Sequence, residues 1–341
     1  MTERVATTTG LFPLPDAAKQ RLSDLKGHQK HDLISGTEGD AITSAYEEYR
    51  AEVIDEQQSA GLDRITEGQL RWDDMLAHPL TTHENVNPNG IVRYYDNNNF
   101  YRDPRVEGEL MFSGDVASEL ETAAEQLGDA AAGSLQAVLP GPYSLFDLAT
   151  DNYYDDENEF LGAIADFLAG EVAAFPEHKT LVLHEPSLVE HAPDEDIQAQ
   201  LAESIDTVAS ETDADVVVHT YFGALDEKTY AHLMDADVEA LGFDLVAGDR
   251  AQTLSNINEF GTKNAAALGI ADGQNTLVES PETLEERIEW FEDQIPVQEF
   301  DRLYVTTNTE PFYLPVNKHR AKLAAIADAA DTETEDTEVT A

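Results

Sequence analysis

The sequence predicts a (β/α)8 barrel, and three observations carry that prediction. Eight short apolar runs have the length and β-branched content of strands covered on both faces. Amphipathic helical patterns lie between them. The chain has 341 residues, enough for one barrel-sized domain. A doubly wound sheet is the alternative, but the Gly-rich dinucleotide fingerprint it often carries is missing.

Taken in order, the strand candidates are residues 6–11, 64–67, 135–140, 180–185, 215–220, 238–245, 265–270 and 303–307. Between the first two lies a long helical span, residues 40–61. Between the second and third, residues 91–114 break the alternation and read as an excursion, a hairpin over the barrel mouth. Phe160, Ile164, Phe167 and Leu168 share one helical face, as do Ile197, Leu201, Ile205 and Val208. Ser280, Pro281 and Glu282 read as an N-cap, a first-turn proline and a dipole-matched acid. Leu284, Ile288 and Phe291 line the helix that follows. Residues 1–327 are read as a single barrel domain. Residues 328–341 have high like charge and no apolar period, so an acidic disordered tail is expected there.

The 20 basic and 69 acidic residues leave a net charge of −49. Such a surface repels phosphate backbones and anionic lipid, so neither nucleic acid nor membrane is expected as a partner. The acids are spread along the whole chain, as in a halophilic protein adapted to molar salt, where screening acts within a few Å. A surface that steers a cationic partner is the other reading. No apolar run approaches the ~18 residues of a membrane span. The start, Met1-Thr2-Glu3-Arg4-Val5, shows no secretory signal, so a cytoplasmic location is expected. There is no cysteine, hence no disulfide, thiol nucleophile or thiolate metal site.

Active residues of such barrels sit at the C-terminal ends of strands. Those ends offer Glu67-Gly68-Gln69, Pro140-Gly141-Pro142, His184-Glu185-Pro186, His219-Thr220-Tyr221, Gly242-Phe243-Asp244 and Asn308-Thr309-Glu310. Glu185, His219 and Asp244 are the catalytic candidates. Each fits a structural role equally well: a strand-end carboxylate bonded to backbone, a satisfied histidine, a buried paired acid. His184 and Glu185 are adjacent, so at most one points into the barrel unless the strand end is distorted. The stretch from Tyr94 to Tyr101 flanks a polar turn with aromatics. Tyr95, Asp96, Asn98 and Tyr101 could stack on and hydrogen-bond a planar heterocycle, or pack on the rim around an Asx turn.

These motifs, in this order, resemble the cobalamin-independent methionine synthase family. Thr7-Thr8-Thr9-Gly10 resembles its first-strand signature. His184-Glu185-Pro186-Ser187-Leu188 is similar to its Asp-Glu-Pro-Ala-Leu. The Tyr95–Tyr101 stretch, Thr220-Tyr221-Phe222-Gly223, the strand-six Asp244-Leu245-Val246 and residues 268–275 are similar to motifs of the amino-terminal barrel. The resemblance implies a (β/α)8 barrel serving methyl transfer from methyltetrahydrofolate to homocysteine. The family's catalytic barrel holds zinc through His, two Cys and Glu, and the matching positions here are Tyr221, Gly223, Asp244 and Thr309. Gln69 and His184 stand where that barrel binds homocysteine through acids. The expectation is therefore a zinc-free, folate-binding or scaffold barrel, without a metal or cofactor of its own, working with a separate zinc-bearing barrel. Lys19 and Arg21 are candidate contacts for a polyglutamate tail. The rivals are a self-sufficient barrel enzyme using His184, Glu185, His219 and Asp244, and a non-enzymatic pterin-binding protein.

Overall fold

The computed structural model describes residues 2–24, 38–95, 99–296 and 298–331. Seven parallel strands curl into the barrel wall: β1 (Glu3–Ala6), β6 (Gln136–Pro140), β8 (Thr180–His184), β9 (Asp215–His219), β10 (Ala240–Asp244), β11 (Ala265–Ala271) and β12 (Arg302–Thr307). Their order is β1-β12-β11-β10-β9-β8-β6. The gap between β6 and β1 is filled by residues 63–66. Asp63 and Arg64 donate backbone N–H groups to the Ala6 carbonyl at 2.9 and 3.2 Å, and Ile65 bridges Leu135 in parallel.

The second predicted strand, residues 64–67, is thus a single bridge rather than a ladder. Gly68 (φ +86°) and Gln69 (φ +51°) turn the chain away, which ends the pairing. The first strand also differs from its prediction of residues 6–11. It starts at Glu3, and its last backbone bond to the neighbour runs from Thr7 N to the Val305 carbonyl. Positive φ at Gly10 and Leu11 then takes the backbone out of the sheet.

Alternation along the strands separates two apolar layers. Val5, Val138, Val182, Val217, Ala240, Ala265, Ala267 and Tyr304 fill the barrel interior. Leu139, Leu181, Leu183, Val216 and Val218 face outward and join the helices in the larger core. The helix Asp40–Ala60 ends on Gly61 in the left-handed region, whose N–H reaches back to the last-turn carbonyls. The helix Pro281–Gln294 starts as its sequence foretold: Ser280 Oγ accepts from Thr283 N, and Leu284, Ile288 and Phe291 are buried. No helix among the described residues is long and apolar enough to cross a membrane.

The excursion is real and begins slightly earlier than residue 91. Strands β2 (Val86–Asn87), β5 (Arg105–Val106) and β7 (Thr150–Asp151) form a small sheet, and β3 (Ile91–Val92) pairs with β4 (Tyr101–Arg102) as a hairpin. At the other end, the helix Val316–Ala330 runs three residues into the stretch read as a tail, and residues 332–341 lie outside the described residues.

Candidate functional site

His184 and His219 end β8 and β9 in register, with rings 5.8 Å apart and nearly perpendicular. His184 Nε2 donates to the Thr9 carbonyl at 2.7 Å and His219 Nε2 to the Asn308 carbonyl at 2.8 Å. A carbonyl can only accept, so each Nε2 carries hydrogen and each Nδ1 is bare. Burial holds both rings neutral; His184, with His219 beside it, is pushed down to about 3. Bonds spanning the barrel thus fix both rings.

Glu185 faces the other way, as adjacent strand residues must. Its carboxylate takes the N–H groups of Tyr143 (3.0 Å) and Ser144 (2.7 Å) and the Ser144 hydroxyl (2.7 Å). Those are the open donors at the start of the helix Pro142–Leu148, whose cap residue Gly141 has no side chain to serve them. Glu185 is therefore a helix cap supplied from the neighbouring strand. Burial still raises its carboxyl to about 7 against these bonds.

Asp244 is equally occupied. It accepts from Val246 N, Ala247 N and Phe222 N at 2.9, 2.8 and 3.1 Å, and from Asn308 Nδ2 at 3.1 Å to each oxygen. Asn308 Oδ1 in turn accepts from Gly273 N. The acid ties the ends of β9, β10 and β12 together. Gln69 is also used up: its Oε1 accepts from Leu11 N at 2.7 Å and its Nε2 donates to the Val138 carbonyl at 3.2 Å. The nearby Glu67 is pushed up to about 8 by burial.

The hairpin packs its aromatics into the mouth. Tyr95 and Tyr101 are buried, 5.3 Å apart, in a cluster with Trp72, Met75, Leu11 and Leu148. The Tyr95 hydroxyl bonds Ser187 Oγ at 2.7 Å. Neither ring presents a free face to a ligand in this conformation. Asp96 and Asn98 lie outside the described residues.

Two side chains outside the catalytic candidates meet beside this cluster. The Tyr221 hydroxyl donates to Glu310 Oε1 at 2.6 Å, and His184 Nε2 lies 4.0 Å from the same oxygen. Burial raises the Glu310 carboxyl to about 8. Glu310 precedes Pro311 just as Glu185 precedes Pro186, a pairing at two strand ends that could have flagged it. Two openings adjoin the mouth. One is a groove of about 1250 Å³, open side included, where Lys19 and Arg71 meet Tyr46, Trp72, Phe312 and Tyr313. Lys19 is also 3.5 Å from Asp16, while Arg21 is held by Glu48 at 2.5 Å. The other is a cleft of about 770 Å³, likewise open, beside Phe222, Asn308 and Thr309.

The four positions matching the family's zinc ligands do not make a metal site. Tyr221 is spent on Glu310, Gly223 has no side chain, Thr309 offers a neutral hydroxyl, and Asp244 has four donors on it. Zinc wants several imidazole, thiolate or carboxylate donors converging on one point. Among the described residues no three His, Asp or Glu side chains do so.

Comparison with known proteins gives the family. Residues 81–295 match the family described as cobalamin-independent synthase, N-terminal domain. The chain belongs to that family. Its relatives include the methionine synthase of Sulfolobus acidocaldarius, 22% identical over 268 residues and 74% of each chain. Another is the methionine synthase of Saccharolobus solfataricus, 21% identical over 280 residues, 81% of this chain and 79% of that one. A B12-independent methionine synthase from a Shewanella species, solved with selenomethionine, superposes with a TM-score of 0.74 at 15% identity over 96% of both chains. A putative vitamin-B12 independent methionine synthase from Listeria monocytogenes gives 0.70 at 16% identity, over 97% of this chain and 98% of that one. The cobalamin-independent methionine synthase barrel is thus the fold and the family of this chain.

Proposed function

We propose that this chain is the zinc-free barrel of a methionine-synthase-type system. It supports methyl transfer from methyltetrahydrofolate to homocysteine together with a separate zinc-bearing barrel. The observation that carries this reading is Asp244. It is the one acid at the four ligand positions, and its oxygens bind strand ends instead of pointing at a shared vacant centre. The match to an N-terminal domain supports the same assignment. Zinc would supply a thiolate of homocysteine at neutral pH, and no donor set among the described residues fits it.

What this chain offers is rigid walls and a groove. Tyr46, Trp72, Phe312 and Tyr313 line a groove suited to a planar ring, with Lys19 beside them as a cation for an anionic tail. The two fixed histidines hold Thr9 and Asn308, just past the ends of β1 and β12 that lead into it.

The test is methionine formation from methyltetrahydrofolate and homocysteine in molar KCl. This chain is assayed alone, then mixed with a zinc-carrying homologue from the same genome. The expected result is silence alone and, in the mixture, a rate above that of the homologue by itself. Turnover by this chain alone with stoichiometric zinc would overturn the reading.

A further inference from the structure

The chain contains one Asn-Gly step, Asn89-Gly90, and one Asp-Gly step, Asp272-Gly273. Both pairs carry the same latent chemistry. A backbone nitrogen stands next to a side-chain carbonyl carbon, and glycine leaves the approach between them unshielded. The structure treats the two pairs differently.

Asp272-Gly273 is locked. Asn308 Oδ1 holds the Gly273 N–H at 2.9 Å, and a Cβ at Gly273 would lie 2.2 Å from the Thr309 carbonyl oxygen, so the backbone has no room to turn. Asp272 Oδ1 accepts from Gln274 N and Asn275 N at 2.9 and 3.1 Å.

Asn89-Gly90 is open. It joins β2 to β3, and both residues are exposed. Asn89 has a φ of +44°, in the left-handed region that asparagine tolerates at some cost. Nothing lies within 4 Å of the place a Gly90 Cβ would take, and among the described residues no acceptor takes the Gly90 N–H. One contact restrains the side chain: Asn89 Nδ2 donates to Asp103 Oδ2 at 2.5 Å, just past the end of β4. A carboxylate on the amide N–H feeds electron density into the amide, which makes Cγ a poorer electrophile.

We propose that Asn89-Gly90 is a self-modifying turn, in which Asn89 deamidates through a cyclic imide at a pace set by Asp103. The Gly90 nitrogen gives up its proton and attacks Asn89 Cγ. The N–Cγ bond forms, the Cγ–Nδ2 bond breaks, and Nδ2 leaves as ammonia with that proton. Water then opens the imide. Cleavage at Cγ leaves aspartate, and cleavage at the main-chain carbonyl leaves isoaspartate, with the chain routed through Cβ. One water is consumed, one ammonia is released, and nothing is oxidised or reduced. The product sets a carboxylate against Asp103 where an amide donor had been. One tie is thereby lost between the β2–β3 turn and the hairpin that carries Tyr95 and Tyr101 into the mouth. The step needs only water, so it is independent of the reaction the barrel serves.

The experiment is storage of the full chain in molar KCl and heavy-oxygen water at mildly alkaline pH, then acid-protease digestion and peptide mass spectrometry. Heavy oxygen should enter at Asn89, with isoaspartate exceeding aspartate, and should not enter at Asp272. Gly90→Ala places its methyl in free space and should fold, which a circular-dichroism melt checks; it should slow the uptake at least tenfold. Asp103→Ala should speed it several-fold. In the modified chain, amide exchange should quicken several-fold at Asp103, whose N–H is held by the Gly90 carbonyl at 3.1 Å. No uptake at Asn89, equal uptake at Asp272, or an unchanged rate in Gly90→Ala each overturns the site. An unchanged or slower rate in Asp103→Ala overturns the control by Asp103, and unaltered exchange at Asp103 overturns the loosening of the hairpin.

Discussion

Replacing Glu185 separates a helix cap from a catalytic acid. In Glu185→Gln one oxygen becomes an NH2 group. Tyr143 N and Ser144 N point at different carboxylate oxygens, so in either amide orientation one buried N–H faces another donor. An unsatisfied buried donor costs about 1–3 kcal/mol, and charge-assisted bonds are weakened besides, so the loss should be about 2–4 kcal/mol. Glu185→Ala orphans all three donors and opens a void, for about 4 kcal/mol or more. For a chain of this size 1 kcal/mol is worth about 2 °C in Tm. Glu185→Gln should then melt about 4–8 °C below the parent, and Glu185→Ala lower still. Gly141→Ala should act in the same direction, because its Cβ would lie 2.2 Å from Glu185 Oε1 and evict the carboxylate. Melts followed by circular dichroism in molar KCl measure all three. The reasoning fails if Glu185→Gln melts within about 1 °C of the parent while methionine formation with the partner barrel is abolished.

Two further outcomes follow from buried groups. In Gly242→Ala the new Cβ would meet His219 Nδ1 at 2.1 Å and the His219 Cα at 2.9 Å, and no rotamer relieves the second contact. The cost should be about 1–3 kcal/mol, whereas Gly162→Ala, in the helix Glu157–Ala173 with nothing within 4 Å, should stabilise by about 0.5–1 kcal/mol; paired urea titrations with equal midpoints would contradict both. Stability should also fall as pH rises from about 6.5 to 8, at about 1.4 kcal/mol per proton per pH unit. Glu67, Glu185 and Glu310, raised to about 8, 7 and 8, keep protons there that the unfolded chain has released. His184 and His319, each pushed down to about 3, have the opposite sign: their contribution is present above about 6.5 and is lost as pH falls from 6.5 toward 3. Denaturation midpoints that climb between pH 6.5 and 8.5 would refute the assignment.

The barrel wall was legible because its strands carry their own signal. Leu181–Val182–Leu183 and Val216–Val217–Val218 are apolar on both faces, which only a covered parallel strand tolerates. The weak point was residues 64–67. Ile65 and Thr66 look like strand residues, but the strained turn at Gly68 and Gln69 decides the matter, and no local pattern shows it. The opposite facing of His184 and Glu185 followed from strand geometry alone. What each does was hidden because the partners are remote: Glu185 works for a helix starting some forty residues earlier, and Tyr221 meets Glu310 across 89 residues. Tyr95 and Tyr101 read as a stacking platform because aromatics beside a polar turn suit either a ligand or a rim. In the structure both rings pack against Trp72 and Met75.

The pairing of β1 with β12 has a consequence for synthesis. Glu3 lies opposite Arg302, and their side chains bond across 299 residues of chain. A ribosome adding about 5–20 residues per second needs about 15–60 s to make that stretch. For all that time Val5 and Ala6 lack the neighbour that covers them, and the wall cannot close. The first strand made is among the last to find its place, so the nascent chain must stay dispersed while it waits.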